Sequence, residues 1–168
     1  MTSSNRPDTE VRIVEFHNKY ARQFRELNYD WLEKYFTVEP FDRIVLNDPY
    51  TRIIKQHGHI FFALMDDDVV GTCALLKHTD MKYELAKMAV LPDQRGRGIG
   101  RMLAQAAIDK ARALGAESIV LATSDLLPAA NHLYMSLGFQ HADPSVIGPL
   151  PYKRKSIVMA MKLKGRTA

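Results

Sequence analysis

The chain has 168 residues, enough for one domain that buries most of its apolar surface without disulfides or metal. Its 46% hydrophobic and 25% charged residues are the ordinary balance of a soluble globular protein. The formal charge of +4 suits anionic small ligands without demanding nucleic acid, and a solvated basic surface accounts for it equally.

In chain order, MTSSNRPDTE lacks the apolar core of a secretory signal, and residues 1–8 read as loose. No run approaches the roughly 18 apolar residues of a membrane span. The lone cysteine, Cys73, sits inside an apolar run, so no disulfide framework exists and a reducing, cytoplasmic setting is expected. TEVRIVEF (9–16) alternates and predicts a first strand. Tyr20, Phe24, Leu27, Trp31 and Tyr35 share one face of a predicted helix, and a shorter helix is expected near Phe41–Leu46, ended by Pro49. HIFFALM (59–65) and VVGTCALL (69–76) read as a hairpin around Asp66, Asp67 and Asp68, and MKYELAKMAVL (81–91) as the third strand of the meander. Three consecutive aspartates cannot all face one ion, and His57 and His59 lack a third ligand nearby, so no metal site is expected.

QRGRGIGR (94–101) follows that strand and opens a helix with Ile99, Leu103, Ala107, Ala111 and Leu114 on one face and Gly115 at its end. ESIVLAT (117–123) is a further strand. Ser124 or Asp125 is placed to cap the next helix, with Pro128 in its first turn and Gly138 as its stop. A short strand from Phe139, a loop DPSVIGPLP and an alternating strand KSIVMAMKL (155–163) close the chain. The charged PYKRK (151–155) reads as a loop before an edge strand, with contact to an acidic partner as its alternative. The expected fold is α/β (α+β) in one domain over 1–168, a mixed sheet with helices on both faces.

Gly96, Gly98 and Gly100 at a helix mouth let successive backbone N–H groups converge, with Arg95, Arg97 and Arg101 adding charge. That is an anion site, and a diphosphate is its natural occupant. A tight turn rich in glycine is the plainer alternative. No Lys-Ser or Lys-Thr follows, so it is not a P-loop, and residue 101 is arginine where a dinucleotide fingerprint needs glycine.

The spacing that fits is [QR]-x-x-G-x-[GA], from Arg95 to Gly100. Here the chain resembles the GCN5-related N-acetyltransferase (GNAT) family. YELAKMAVLPDQRGRGIGRML (83–103) resembles its acetyl-CoA strand, pyrophosphate loop and helix, and PAANHLYMSLGF (128–139) its later tyrosine helix. FRELNYDWLEKYF and HIFFAL also resemble a bacterial subgroup that stands alone or is fused to MarR-like regulators. No helix-turn-helix partner is expected within these residues.

The resemblance implies a mostly antiparallel sheet whose central strand pair splays at a bulge. It implies acetyl-CoA along Met88, Ala89 and Val90, and pyrophosphate on the backbone of Arg95, Gly96, Arg97, Gly98, Ile99, Gly100 and Arg101. It implies an N-acetyltransferase passing an acetyl group directly to a primary amine of a small molecule or peptide. Glu84 matches the family's base or substrate anchor; a solvated strand residue or a partner for Lys87 is its alternative. Tyr134 matches the tyrosine that donates to the leaving thiolate; core packing is its alternative. Asn28, Tyr29 and Tyr152 match the acceptor side, whereas Trp31 is read as core. One departure is Leu127, where many relatives carry an asparagine. Cys73 has no activating partner, so no covalent route is expected.

A non-catalytic acyl-CoA sensor of the same fold is the rival reading. A nucleic-acid binder is a third, unsupported by aromatic-basic interleaving. No membrane partner is expected. The final strand is free to pair or swap across a homodimer.

Overall fold

The computed structural model describes residues 10–163; the first eight residues, expected to be loose, lie outside them. Seven strands form one sheet in the order β1-β2-β3-β4-β5-β7-β6. They are β1 Val11–Glu15, β2 His59–Met65, β3 Asp68–Thr79, β4 Lys82–Val90, β5 Ser118–Thr123, β6 Gln140–His141 and β7 Ile157–Lys162. Every pairing is antiparallel except β4 with β5. That parallel join follows from the chain path, because the helix between these strands returns the chain to the same end of the sheet.

Helices α1 (Ala21–Tyr35) and α2 (Pro40–Asn47) cover one face. Phe24, Leu32, Val45 and Leu46 pack there against Ile60, Phe62, Leu64 and Ala74. Helix α3 (Ile99–Ala113) covers the other, with Leu103, Ala107 and Ala111 against Phe61, Cys73 and Leu75. Period-two strands and period-3.6 helices thus lay their apolar sides together, as the sequence predicts. α2 starts at a proline and carries a capping box: Glu39 and Asp42 each accept from the other's backbone N–H.

Helix α4 (Pro128–Leu137) differs from expectation at its start. Its N-cap is Leu127, with no side-chain cap. Ser124 instead accepts from the Leu126 N–H. Asn131 ties α4 to the end of β5, accepting from Thr123 Oγ1 at 2.7 Å and donating to the Ser124 carbonyl at 2.8 Å. A second difference is at the sheet's edge. β7 is not the outermost strand: β6 pairs with its Met159 and Ala160. The loop before it is not a free charged loop either, because Arg154 reaches across to α2.

Two irregularities shape the centre of the sheet. β4 and β5 pair only from Lys82–Ser118 to Glu84–Val120, so beyond Glu84 the two strands part. In the same stretch β4 takes three steps, Ala86 to Ala89, where β3 takes two, Ala74 to Thr72. The extra residue is a bulge, and Lys87 within it has a φ of 55°.

Candidate active site

The parted strands open a cavity of about 700 Å³ between β4, β5, α1, α3, α4 and the loop before β7. The glycine loop forms one end. Gly96 and Gly98 have φ of 80° and 77°, and a Cβ on either would meet nothing within 4 Å. Their role is therefore backbone shape and not close packing. Gly98 caps α3 without a side-chain hydrogen bond, which leaves the first N–H groups of the helix turned to the loop. Gln94 Oε1, buried at the same place, has no partner among the described residues. These features fit a diphosphate. Arg95, Gly96, Gly98, Ile99, Gly100 and Arg101 line the cavity; Arg97 is exposed and lies outside the lining. Arg101 donates to Ser136 Oγ at 2.6 Å.

Met88, Ala89 and Val90 line the middle, on the edge of β4 that β5 has left. Lys87 and Met88 also have no opposite residue on β3. This edge offers backbone donors and acceptors to an extended ligand.

Tyr134 reaches the cavity from α4, its ring edge-on to Phe139 at 6.0 Å. Burial pushes its phenol pKa well above the ordinary value, with a smaller contribution from Cys73. The hydroxyl keeps its proton and is a donor. Cys73 itself is buried, its Sγ 3.5 Å from the Leu103 carbonyl, and burial pushes its thiol up in the same way.

Glu84 faces the cavity from the last paired position of β4. Its partner is not Lys87. His78 Nε2 lies 2.7 Å from Glu84 Oε1. Leu76 is opposite Glu84, and His78 lies two residues further along β3, at a register shift between Lys77 and Thr79, from where it reaches the carboxylate.

At the acceptor end a charged group joins α2, the bulge and the loop before β7. Asp42 is fully buried and holds Arg154 through both oxygens, at 2.6 and 3.0 Å. Arg154 also meets Glu39 at 3.3 Å and lies over the Tyr152 ring at 4.0 Å. Lys87 Nζ donates to Tyr152 Oη at 2.7 Å and stands 3.8 Å from Asp42. Burial lowers the Lys87 pKa, Asp42 opposing and Arg154 adding to the shift. Burial raises that of Tyr152, seconded by Asp42.

The remaining expected residues divide. Asn28 lines the cavity but spends its amide within α1, donating to the Phe24 carbonyl and accepting from Trp31 Nε1. Trp31 packs on the α1 core and also lines the cavity. Tyr29 lies outside the lining and donates to Asn47 on α2. Sequence reasoning missed His78 and Asp42; it named Lys87 only as an alternative partner of Glu84, and Arg154 only within the charged stretch 151–155. The closeness of His78 to Glu84 across a short turn is the one signal that could have found it; nothing local announces the others.

The chain matches the model of the "Acetyltransferase (GNAT) family" over residues 15–139. The protein belongs to this family. It is 30% identical over 105 residues to the "uncharacterized N-acetyltransferase YvbK" of Bacillus subtilis, covering 61% of this chain and 68% of that protein. It is 34% identical over 100 residues to the "uncharacterized N-acetyltransferase YjgM" of Escherichia coli, covering 57% and 60%. A GNAT-family acetyltransferase from Staphylococcus aureus superimposes with a TM-score of 0.81 at 22% identity, over 92% of this chain and all of the other. N-acetylglutamate synthase from Neisseria gonorrhoeae, solved with coenzyme A and N-acetylglutamate, gives 0.70 at 20% identity, over 92% of this GNAT protein and 35% of the synthase. The sheet, its parted central pair and the helices on both faces are thus the GNAT fold.

Proposed function

We propose that this protein transfers an acetyl group from acetyl-CoA to a primary amine, directly and in a ternary complex. The observation that carries the reading is one continuous cavity with an anion cradle at the glycine loop and a carboxylate, Glu84, at the parting of β4 and β5. The synthase solved with coenzyme A is consistent with it. A cytoplasmic location, a single N-acetyltransferase domain and a small-molecule or peptide acceptor go with the reading.

When bound, acetyl-CoA supplies an acetyl group activated as a thioester. The loop from Arg95 to Gly98 and the first turn of α3 hold a diphosphate, and the free edge of β4 pairs with the arm between it and the thioester. An amine of pKa about 10 arrives as an ammonium and must lose a proton to become a nucleophile. Glu84 takes it. His78, in contact with Glu84 and open to solvent, passes it outward. Tyr134, kept protonated by burial, donates a hydrogen bond where the sulfur departs.

The test is release of free thiol from acetyl-CoA against a panel of primary amines, with coenzyme A binding measured by calorimetry. We expect turnover on at least one amine, and a Glu84→Gln loss of about 10²–10³-fold in kcat/KM with coenzyme A affinity unchanged. Failure to bind coenzyme A overturns the reading of the glycine loop. Binding without turnover on any amine leaves the acyl-CoA sensor standing instead.

A further inference from the structure

We propose that the acceptor is a zwitterionic amino acid, its ammonium held by Glu84 and its carboxylate by Lys87. The inference rests on the transferase reading and narrows its substrate to one chemical class.

The first ground is parity. Glu84 and Lys87 are three residues apart, so a regular strand would turn them to opposite faces of the sheet. The bulge removes that separation. Tyr83 and Leu85 before it, and Met88 and Val90 after it, all belong to the core under α3. Glu84 and Lys87 therefore share the α1–α2 side, and Lys87 meets α2 there through Asp42. The left-handed backbone at a lysine, φ 55°, is an unfavourable conformation that accompanies this placement.

The second ground is unfilled hydrogen-bonding capacity. The Lys87 ammonium has three donors. One goes to Tyr152 Oη. Asp42, at 3.8 Å, is too far for a hydrogen bond, and its oxygens are occupied by Arg154 and by the Glu39 N–H at 2.8 Å. The side chain is only 11% exposed and lines the cavity. An ammonium so far out of water, with donors to spare and its one buried counter-ion, Asp42, shared with Arg154, has room for a second anion. Glu84 is its counterpart. Its side chain is 14% exposed, it lines the same cavity, and Oε1 alone has a partner, His78. One strand thus presents an available anion and an available cation to one cavity. An α-amino acid carries the complementary pair across a single carbon. A polyamine would set an ammonium against Lys87, and a peptide N-terminus would leave Lys87 without a carboxylate nearby.

The probe is a set of L-amino acids, each paired with its own α-carboxamide, together with spermidine and an N-terminally free tripeptide amide. Thiol release from acetyl-CoA is the readout. At least one free amino acid is expected to exceed its amide by about 30-fold or more in kcat/KM, the scale of one charge-assisted contact. In Lys87→Met that ratio is expected to fall below about threefold, chiefly through KM for the acid. Thermal unfolding and coenzyme A affinity of the variant check that it remains folded. The wild-type comparison of acid with amide decides the matter even if it does not. Amides, spermidine or the tripeptide used as well as the best amino acid would overturn the zwitterion assignment and leave the transferase reading intact. A Lys87→Met variant that keeps the acid-to-amide ratio overturns the role of Lys87. Absence of turnover on every amine overturns both readings.

Discussion

Asp42→Asn removes one charge and almost nothing else. Asparagine keeps the shape of the side chain and an oxygen for the Glu39 N–H, which Asp42 now accepts at 2.8 Å. What it loses is the anion that faces Arg154 through two contacts and Lys87 at 3.8 Å, at a site with no solvent exposure. Arg154 retains Glu39 at 3.3 Å, and Lys87 retains the Tyr152 hydroxyl. Breaking a buried ion pair from one side costs about 3–5 kcal/mol; the surviving Glu39 contact puts this case near the lower end. For a chain of this length each kcal/mol moves the unfolding midpoint by about 2–4 °C, so a fall of about 6–12 °C is expected. Circular dichroism on heating measures it. The double variant Asp42→Asn with Arg154→Met should lose less than the sum of the single losses by more than about 1 kcal/mol, because the second change removes the cation stranded by the first. A midpoint within about 2 °C of wild type, or strict additivity, would refute this account of the cluster.

Tyr134→Phe should lower kcat by about 10–100-fold and leave the midpoint nearly unmoved, since the ring contact with Phe139 survives and only the donor is lost; equal rates would remove Tyr134 from the chemistry. Gly98→Ala places a methyl at φ 77° beside the cavity, with nothing within 4 Å to clash. A strain of about 1 kcal/mol and a coenzyme A affinity about tenfold weaker are expected by calorimetry, and unaltered affinity would count against the anion cradle. Burial, then the Lys110 charge, lowers the His59 pKa from 6.5, against the pull of Glu15. Between that lowered value and 6.5 the unfolded chain binds more protons than the folded one, so stability rises with pH through this window and falls on acidification. His59→Gln should flatten that slope in denaturant titrations across the window; an unchanged slope would assign it to another group.

The alternation of HIFFALM and VVGTCALL, the acidic turn between them and the helical stripe of Phe24 and Leu27 are local signals, and the elements follow them. The glycine turn that opens α3 was legible for the same reason: its backbone shape lies in consecutive residues. Misreadings arose where distant segments compete for one group. Ser124 and Asp125 look like caps, yet Asn131 takes the Ser124 carbonyl and the N-cap falls on Leu127. Arg154 reads as surface charge until α2 is brought opposite it. The partner of Glu84 depends on hairpin register, and the side on which Lys87 emerges depends on a bulge that no residue type announces. Asn28, polar and adjacent to an expected site, is consumed by its own helix.

The burial of Cys73 has a practical use. It is the only thiol in the chain, and it lies within β3 beneath α3. A reagent that colours with free thiols will therefore count the coenzyme A released by the proposed transfer with almost no signal from folded protein. The same reagent, applied without substrate, becomes a clock for the protein itself. Each turn of colour then marks a molecule whose central sheet has opened, so one cuvette can separate a variant that has lost its chemistry from one that has lost its fold.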